Sequence, residues 1–159
     1  MASSRAAPAP IDVLIVDSDP AQRRVLAGLI AERTLGRFAA RICEIPKDAL
    51  AGVRAGAIMI ADIETVGGPL RLAELTRTRM PLIATSQRAP LTAAVAAARA
   101  GAVDFLAKPI GATQLIEKLD AAVSSWHPSN QETASPAKTP SPAPTIYQKR
   151  EAWARRLGG

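Results

Sequence analysis

Histidine and cysteine are nearly missing from this 159-residue sequence, with one of each, and aromatic side chains make up only 3% of it. A single cysteine, Cys43, excludes an internal disulfide and any metal site built on several thiolates. It lies in an apolar stretch, which predicts a buried, inert thiol rather than a nucleophile. The single histidine, His127, borders a proline-rich segment and is expected to be a solvated residue at a helix end. No histidine-based triad or cluster can then form inside a domain. No run reaches the roughly 18 apolar residues that a membrane-spanning helix needs. Residues 1–10 lack the apolar centre of a secretory signal and read as a disordered lead-in. These absences lead to the expectation of a cytoplasmic protein. No glycine-rich phosphate loop follows any strand candidate, which argues against a nucleotide-dependent enzyme.

The hydrophobic fraction is 48%, and with so few aromatics the core has to be built from Val, Ile, Leu and Ala. That composition suits a parallel sheet covered by alanine-rich helices. The length allows one domain with appendages and a substantial core. The net charge of +6 is unevenly spread: residues 1–126 hold 15 basic and 12 acidic side chains, residues 127–159 hold 5 and 2. The tail is the more basic part, which bears on partners.

Ile11 to Val16 is an apolar, β-branched run that reads as a strand buried on both faces. It ends in Asp17-Ser18-Asp19-Pro20, where Asp19 suits a helix N-cap and Pro20 the first helical position. The helix is predicted to run to about Glu32, with Val25, Leu26, Leu29 and Ile30 facing the core and Gln22, Arg23 and Arg24 exposed. Phe38 to Ile45 is the second strand candidate. Pro46-Lys47-Asp48 opens a second helix carrying Ala49, Leu50 and Val53 on one side, closed near Gly56. Ile58 to Asp62 is a short apolar run bounded by glycines, hence a buried strand. Pro69 to Arg79 reads as a helix with Leu70, Leu72 and Leu75 as its apolar contacts. Pro81 to Ser86 is the fourth strand, Leu91 to Ala100 an alanine-rich helix, Val103 to Leu106 the fifth strand. Thr113 to Ser125 is the last helix, with Leu115, Ile116, Leu119, Ala122 and Val123 inward. Five strands alternating with five helices through short turns predict a doubly wound, five-stranded parallel α/β domain, with right-handed crossovers and helices on both faces.

In such a sheet ligands and chemistry collect where strands exit towards helices. The first strand delivers Asp17, with Ser18 and Asp19 beside it. The third delivers Asp62, the fourth Thr85 and Ser86, the fifth Lys108. Asp62 alone could equally cap a turn or helix, a common task for Asp after a strand. Several polar groups at successive exits of one sheet argue for a shared site. They suit formation of an acyl phosphate: carboxylates with Mg²⁺ screen charge, a hydroxyl donates to one phosphoryl oxygen, and an ammonium pairs with another.

The sequence resembles response-regulator receiver domains over roughly Ile11 to Ser125. The residues that carry the resemblance are Val13 to Pro20, Ile60-Ala61-Asp62, Pro81 to Ser86 and, above all, the run Ala100 to Ile110 containing Lys108-Pro109. The resemblance implies a flavodoxin-like receiver fold and a phosphoacceptor signalling domain rather than an enzyme, with at most self-phosphorylation and self-dephosphorylation. By the same resemblance Asp62 corresponds to the phosphoacceptor and Asp17 to a Mg²⁺-site carboxylate. Ser86 corresponds to the switch hydroxyl with Thr85 beside it, Phe105 to the aromatic switch residue, and Lys108 to the phosphate-pairing lysine. Pro109 favours an unusual, cis-compatible peptide that orients the lysine. The implied partners are a histidine kinase or phosphotransferase and a downstream protein target.

Two departures from the family pattern stand out. Receivers usually place two adjacent acids after the first strand, and here the second is Ser18. Either Asp19 reaches round, or the metal site has lost a charge and with it Mg²⁺ affinity. After Asp62 the family's Met-Pro turn is replaced by Glu64-Thr65-Val66-Gly67-Gly68, where the Glu64 backbone carbonyl is the implied metal donor. Two functions therefore stay open: a phosphoacceptor, and a pseudo-receiver that binds partners without phosphate.

The domain is expected to occupy residues 11–126. Residues 127–145 hold five prolines among Ser, Thr, Asn, Gln and Ala, the composition of a semi-extended linker. Residues 146–159 recover helical periodicity, with Ile146, Trp153 and Leu157 on one stripe of a short basic helix. About a dozen residues is marginal for an isolated helix, so ordering is expected on contact with a partner protein, anionic lipid or the receiver itself. The tail is too short for a DNA-binding output domain.

Overall fold

A computed structural model describes residues 6–43 and 55–126. Its sheet has five parallel strands in the order β2-β1-β3-β4-β5: β1 Ile11–Val16, β2 Phe38–Cys43, β3 Ile58–Asp62, β4 Leu82–Ser86 and β5 Asp104–Ala107. The helices are α1 Pro20–Arg33, α2 Ile63–Val66, α3 Pro69–Thr76, α4 Pro90–Ala100 and α5 Ala112–Ser125.

Strand alternation divides the core into two layers. Val13 and Ile15 of β1, Ile58 and Ile60 of β3 and Ile83 of β4 point to one face, where Leu26 and Ile30 of α1 and Leu115 and Leu119 of α5 cover them. Leu14, Val16, Met59, Ala61, Leu82 and Ala84 point to the other, against Ile63 and Val66 of α2, Leu72 of α3 and Ala97 of α4. The small side chains of α4 let its backbone approach the sheet, which is what its alanine content is suited to. The doubly wound prediction holds.

α1 begins as predicted, with Pro20 in its first turn and the Asp19 carboxylate accepting from Ala21 N at 2.9 Å. Asp17, on β1's exit, is held from two sides: Asp19 N donates to its Oδ1 and Arg23 Nη1 to its carbonyl. Arg23 is thus half-buried rather than exposed. At the far end of the sheet, Gly101 closes α4 with φ +97°, a left-handed conformation that suits glycine. Thr76 Oγ1 lies within 2.9 Å of the Ala100 carbonyl there and ties α3 to α4.

Several expectations are corrected. Val25 is half-exposed, because it lies about 100° round the helix from Leu26 and misses the sheet. Leu70 is 85% exposed, since two residues of helix separate it from Leu72 by about 200°. Cys43 is half-buried at the end of edge strand β2, not enclosed. α3 ends at Thr76 and β5 is displaced by one residue to Asp104–Ala107, while the part of the second strand expected beyond Cys43 lies outside the described residues. The segment after Asp62, read as a loop, forms the short helix α2. The predicted helix opening at Pro46, with Ala49, Leu50 and Val53, lies outside the described residues, as do the linker and the tail from His127 onward.

Candidate functional site

Parallel strands send their C-terminal ends to one edge of the sheet, and three side chains distant in sequence meet there. Lys108 follows β5, and its long stem reaches back across the edge. Its Nζ lies 2.6 Å from Asp17 Oδ2 and 2.8 Å from Asp62 Oδ1. All three are buried, with side chains 7%, 3% and 6% exposed. The Lys108–Pro109 peptide is cis.

Burial by itself would raise the pKa of Asp62. Hydrogen bonds from Lys108 and Thr65, together with the lysine's charge, more than offset it and hold the carboxyl below the usual carboxylate range. Burial would likewise lower Lys108, but its bonds to Asp17 and Asp62 prevail and its pKa is raised. Two carboxylates and one ammonium give the trio one net negative charge, and Asp19, Glu64 and Arg88 stand around it.

The cleft above this trio encloses about 280 Å³. The β1 exit contributes Ser18 and Asp19 to its walls, α2 contributes Glu64, and the β4 exit contributes Gln87 and Arg88.

Asp62 also does what an Asp after a strand commonly does: it caps a helix. Its Oδ2 accepts from Thr65 N at 2.9 Å and from Thr65 Oγ1 at 2.8 Å, opening α2. Thr65 Oγ1 in turn accepts from Ser18 N at 2.9 Å and lies 3.1 Å from Ser18 Oγ. Ser86 Oγ donates to Glu64 Oε1 at 2.6 Å and lies within 3.1 Å of Arg88 N. Ser86 therefore meets the cleft through its wall residues Glu64 and Arg88. Thr85 is enclosed within β4, opposite Asp62 in the sheet, and Phe105 is half-buried against the layer beneath α4. Neither lines the cleft. Ile146, Trp153 and Leu157 lie outside the described residues.

The Thr65 hydroxyl and the Glu64 and Arg88 contacts were missed by sequence reasoning. The one sequence cue near Thr65 was the preference of Asp for helix N-caps at position 62, which marks the cap and not the hydroxyl that donates to it. For Glu64 and Arg88 there was none, since their placement depends on how two turns face each other.

The donors expected for Mg²⁺ already carry hydrogen bonds in this arrangement, Asp17 and Asp62 from Lys108 among others. Asp19 lines the cleft but gives its Oδ1 to the start of α1, and the Glu64 carbonyl accepts from Gly67 N within α2. Among the described residues no group of three or more His, Cys, Asp or Glu side chains is placed to hold a metal.

Residues 13–120 match the response regulator receiver domain family. No curated protein matches the sequence. Among solved structures, the chain is similar to the receiver domain of NtrX from Brucella abortus, with 29% identity and a TM-score of 0.63, over 72% of this chain and 99% of that one. A putative response regulator from Chloroflexus aurantiacus has the same fold at 23% identity and a TM-score of 0.62, over 72% and 98%. Full-length FixJ from B. japonicum shares it at 24% identity and a TM-score of 0.64, over 77% of this chain and 62% of that one. With the fold, the strand-exit trio and a family match over two thirds of its length, the chain belongs to the response-regulator receiver family.

Proposed function

We propose that this receiver accepts a phosphoryl group on Asp62 from the phosphohistidine of a histidine kinase or phosphotransferase and signals through protein contacts. The observation that carries the reading is the buried Asp17–Lys108–Asp62 trio at the exit edge, with Asp62 held ionised at the floor of an open cleft. An ionised carboxylate is the form able to attack phosphorus. In the transfer one Asp62 oxygen forms the new O–P bond while the P–N bond to the donor imidazole breaks. The bonding pair stays on the imidazole nitrogen, which takes its proton from solvent.

Lys108, already between the two carboxylates, is placed to pair with a phosphoryl oxygen. A phosphoryl group brings up to about two negative charges to the pocket. It would compete with Glu64 for the Ser86 hydroxyl and repel the Glu64 carboxylate. Ser86 turning from Glu64 to the phosphoryl would move the β4–α4 turn, and Phe105 sits on the adjacent strand to repack with it. That differential contact is what can shift a population between two arrangements of the α4–β5 face.

A second reading, a pseudo-receiver that docks partners without phosphate, is favoured by one observation: both Asp62 oxygens already carry donors. Incubating the full chain with acetyl phosphate, with and without Mg²⁺, and measuring intact mass separates the two. Wild type is expected to gain one phosphoryl group and Asp62→Asn none. No gain in wild type under either condition rejects the phosphoacceptor and leaves the pseudo-receiver.

A further inference from the structure

Receiver domains usually bind Mg²⁺ at the phosphorylation site, and the residues around Asp62 here are arranged differently. Each carboxylate oxygen of the pair is already engaged. Asp17 Oδ1 accepts from Asp19 N at 2.9 Å and Oδ2 from Lys108 at 2.6 Å. Asp62 Oδ1 accepts from Lys108 at 2.8 Å, and Oδ2 takes two donors from Thr65. The Thr65 hydroxyl has one proton, and the charged Asp62 oxygen at 2.8 Å claims it ahead of the neutral Ser18 oxygen at 3.1 Å. Ser18 then donates to Thr65 through its backbone N–H and hydroxyl, giving a chain of donors that runs from the β1 exit through Thr65 to Asp62. Hydrogen bonds in series polarise one another, so this chain stabilises negative charge on Asp62 beyond a lone hydroxyl contact.

We infer that Lys108 and the Ser18–Thr65 hydroxyl bridge take the charge-neutralising place of a divalent cation, so that the pocket holds Asp62 ionised and oriented without a metal. A hard cation needs about six oxygens in a tight octahedron. Several of those can be waters, but an ion held directly by both carboxylates has to share oxygens that Lys108 and Thr65 already occupy. It also sits beside the ammonium, which adds a repulsion between two cations to the loss in those bonds. Ser18 supplies a neutral oxygen where a second acid would supply charge, so little repays that loss. Thr65 is accordingly a positioning residue for Asp62: it fixes the carboxylate rotamer and opens α2 at the same time. The inference is independent of whether Asp62 is phosphorylated, because it is read from metal binding alone.

The test is a titration of the isotopically labelled full chain with Mg²⁺, following the backbone amide signals of Ser18, Asp62 and Thr65, alongside calorimetry. Wild type is expected to show no saturable shifts at millimolar Mg²⁺. Ser18→Asp, a change at an exposed position that removes the Ser18 hydroxyl from the bridge while keeping its backbone N–H and adds an anionic ligand, is expected to bind at least about tenfold more tightly. Thr65→Ala is expected to admit the ion more readily than Thr65→Ser, which keeps the hydroxyl. Saturable submillimolar binding by wild type, or a Ser18→Asp variant that binds no better than wild type, would overturn the inference. A thermal melt of each variant confirms that the domain measured is folded.

Discussion

Replacing Lys108 by methionine removes the ammonium and keeps a stem of similar length, which leaves the Asp17 and Asp62 carboxylates facing each other at the floor of the cleft. Breaking a buried ion pair from one side costs about 3–5 kcal/mol. A ceiling comes from proton uptake, since one carboxylate can escape the repulsion by protonating. With an ordinary carboxylate value of about 3.9, that escape costs about 4 kcal/mol at pH 7 and about 1 kcal/mol at pH 4.5. The variant should therefore be about 3–4 kcal/mol less stable than wild type at pH 7, a fall in Tm on the order of 12 °C for a domain of this size. The deficit should shrink to about 1 kcal/mol at pH 4.5. In wild type the folded-state value of Asp62 is depressed, so its contribution is present above the unfolded carboxylate value and is lost as pH falls through the folded one. Lys108 is raised, so its contribution is present below the unfolded lysine value and lost as pH rises through the folded one. Wild type thus loses stability on acidification through that range, while Lys108→Met should gain on going from pH 7 towards 4.5. Urea unfolding followed by far-UV circular dichroism at the two pH values measures both. A deficit under 1 kcal/mol at pH 7, or one of equal size at both pH values, would refute the reasoning.

Gly101→Ala is expected to cost about 1–2 kcal/mol, because φ is +97° and the added Cβ would lie 3.1 Å from Thr76 Oγ1; a melt unchanged from wild type would contradict it. Leu119→Ala empties a fully buried site between α5 and the sheet and should cost about 2–5 kcal/mol by urea unfolding, with the acetyl phosphate reaction retained in the folded fraction. Deleting residues 146–159 is expected to weaken capture of a partner protein while leaving the melting temperature of the domain nearly unchanged. A shift of several degrees would show instead that this segment packs on the receiver.

β1, β3 and β4 were legible because strands covered on both faces read as unbroken apolar runs, and the turn residues around them mark their ends. That they run parallel, with helices on both faces, followed from the alternation of strands and helices. The meeting of Asp17 and Lys108, 91 residues apart, was legible only as convergence of strand exits on one edge. What was not legible is the detail that decides the chemistry. α2 is too short to show a helical period, so Asp62 was left between two roles and in fact holds both positions at once, strand end and helix cap. Val25 and Leu70 were misplaced because each stands one or two positions from a leucine that does face the core, which turns it about 100° or 200° away. The Ser18–Thr65 bridge and the Ser86–Glu64 bond join turns distant in the chain, and no local pattern encodes them.

Borohydride reduction after treatment with acetyl phosphate tests the central claim most directly, since an aspartyl phosphate is reduced to homoserine while a free carboxylate is not. Peptide sequencing by tandem mass spectrometry should find homoserine at position 62 of the wild-type chain, and unmodified Asp at positions 17 and 19. Homoserine at another aspartate, or unmodified Asp at all three in a chain that has gained phosphoryl mass, would contradict the assignment of Asp62 as the acceptor.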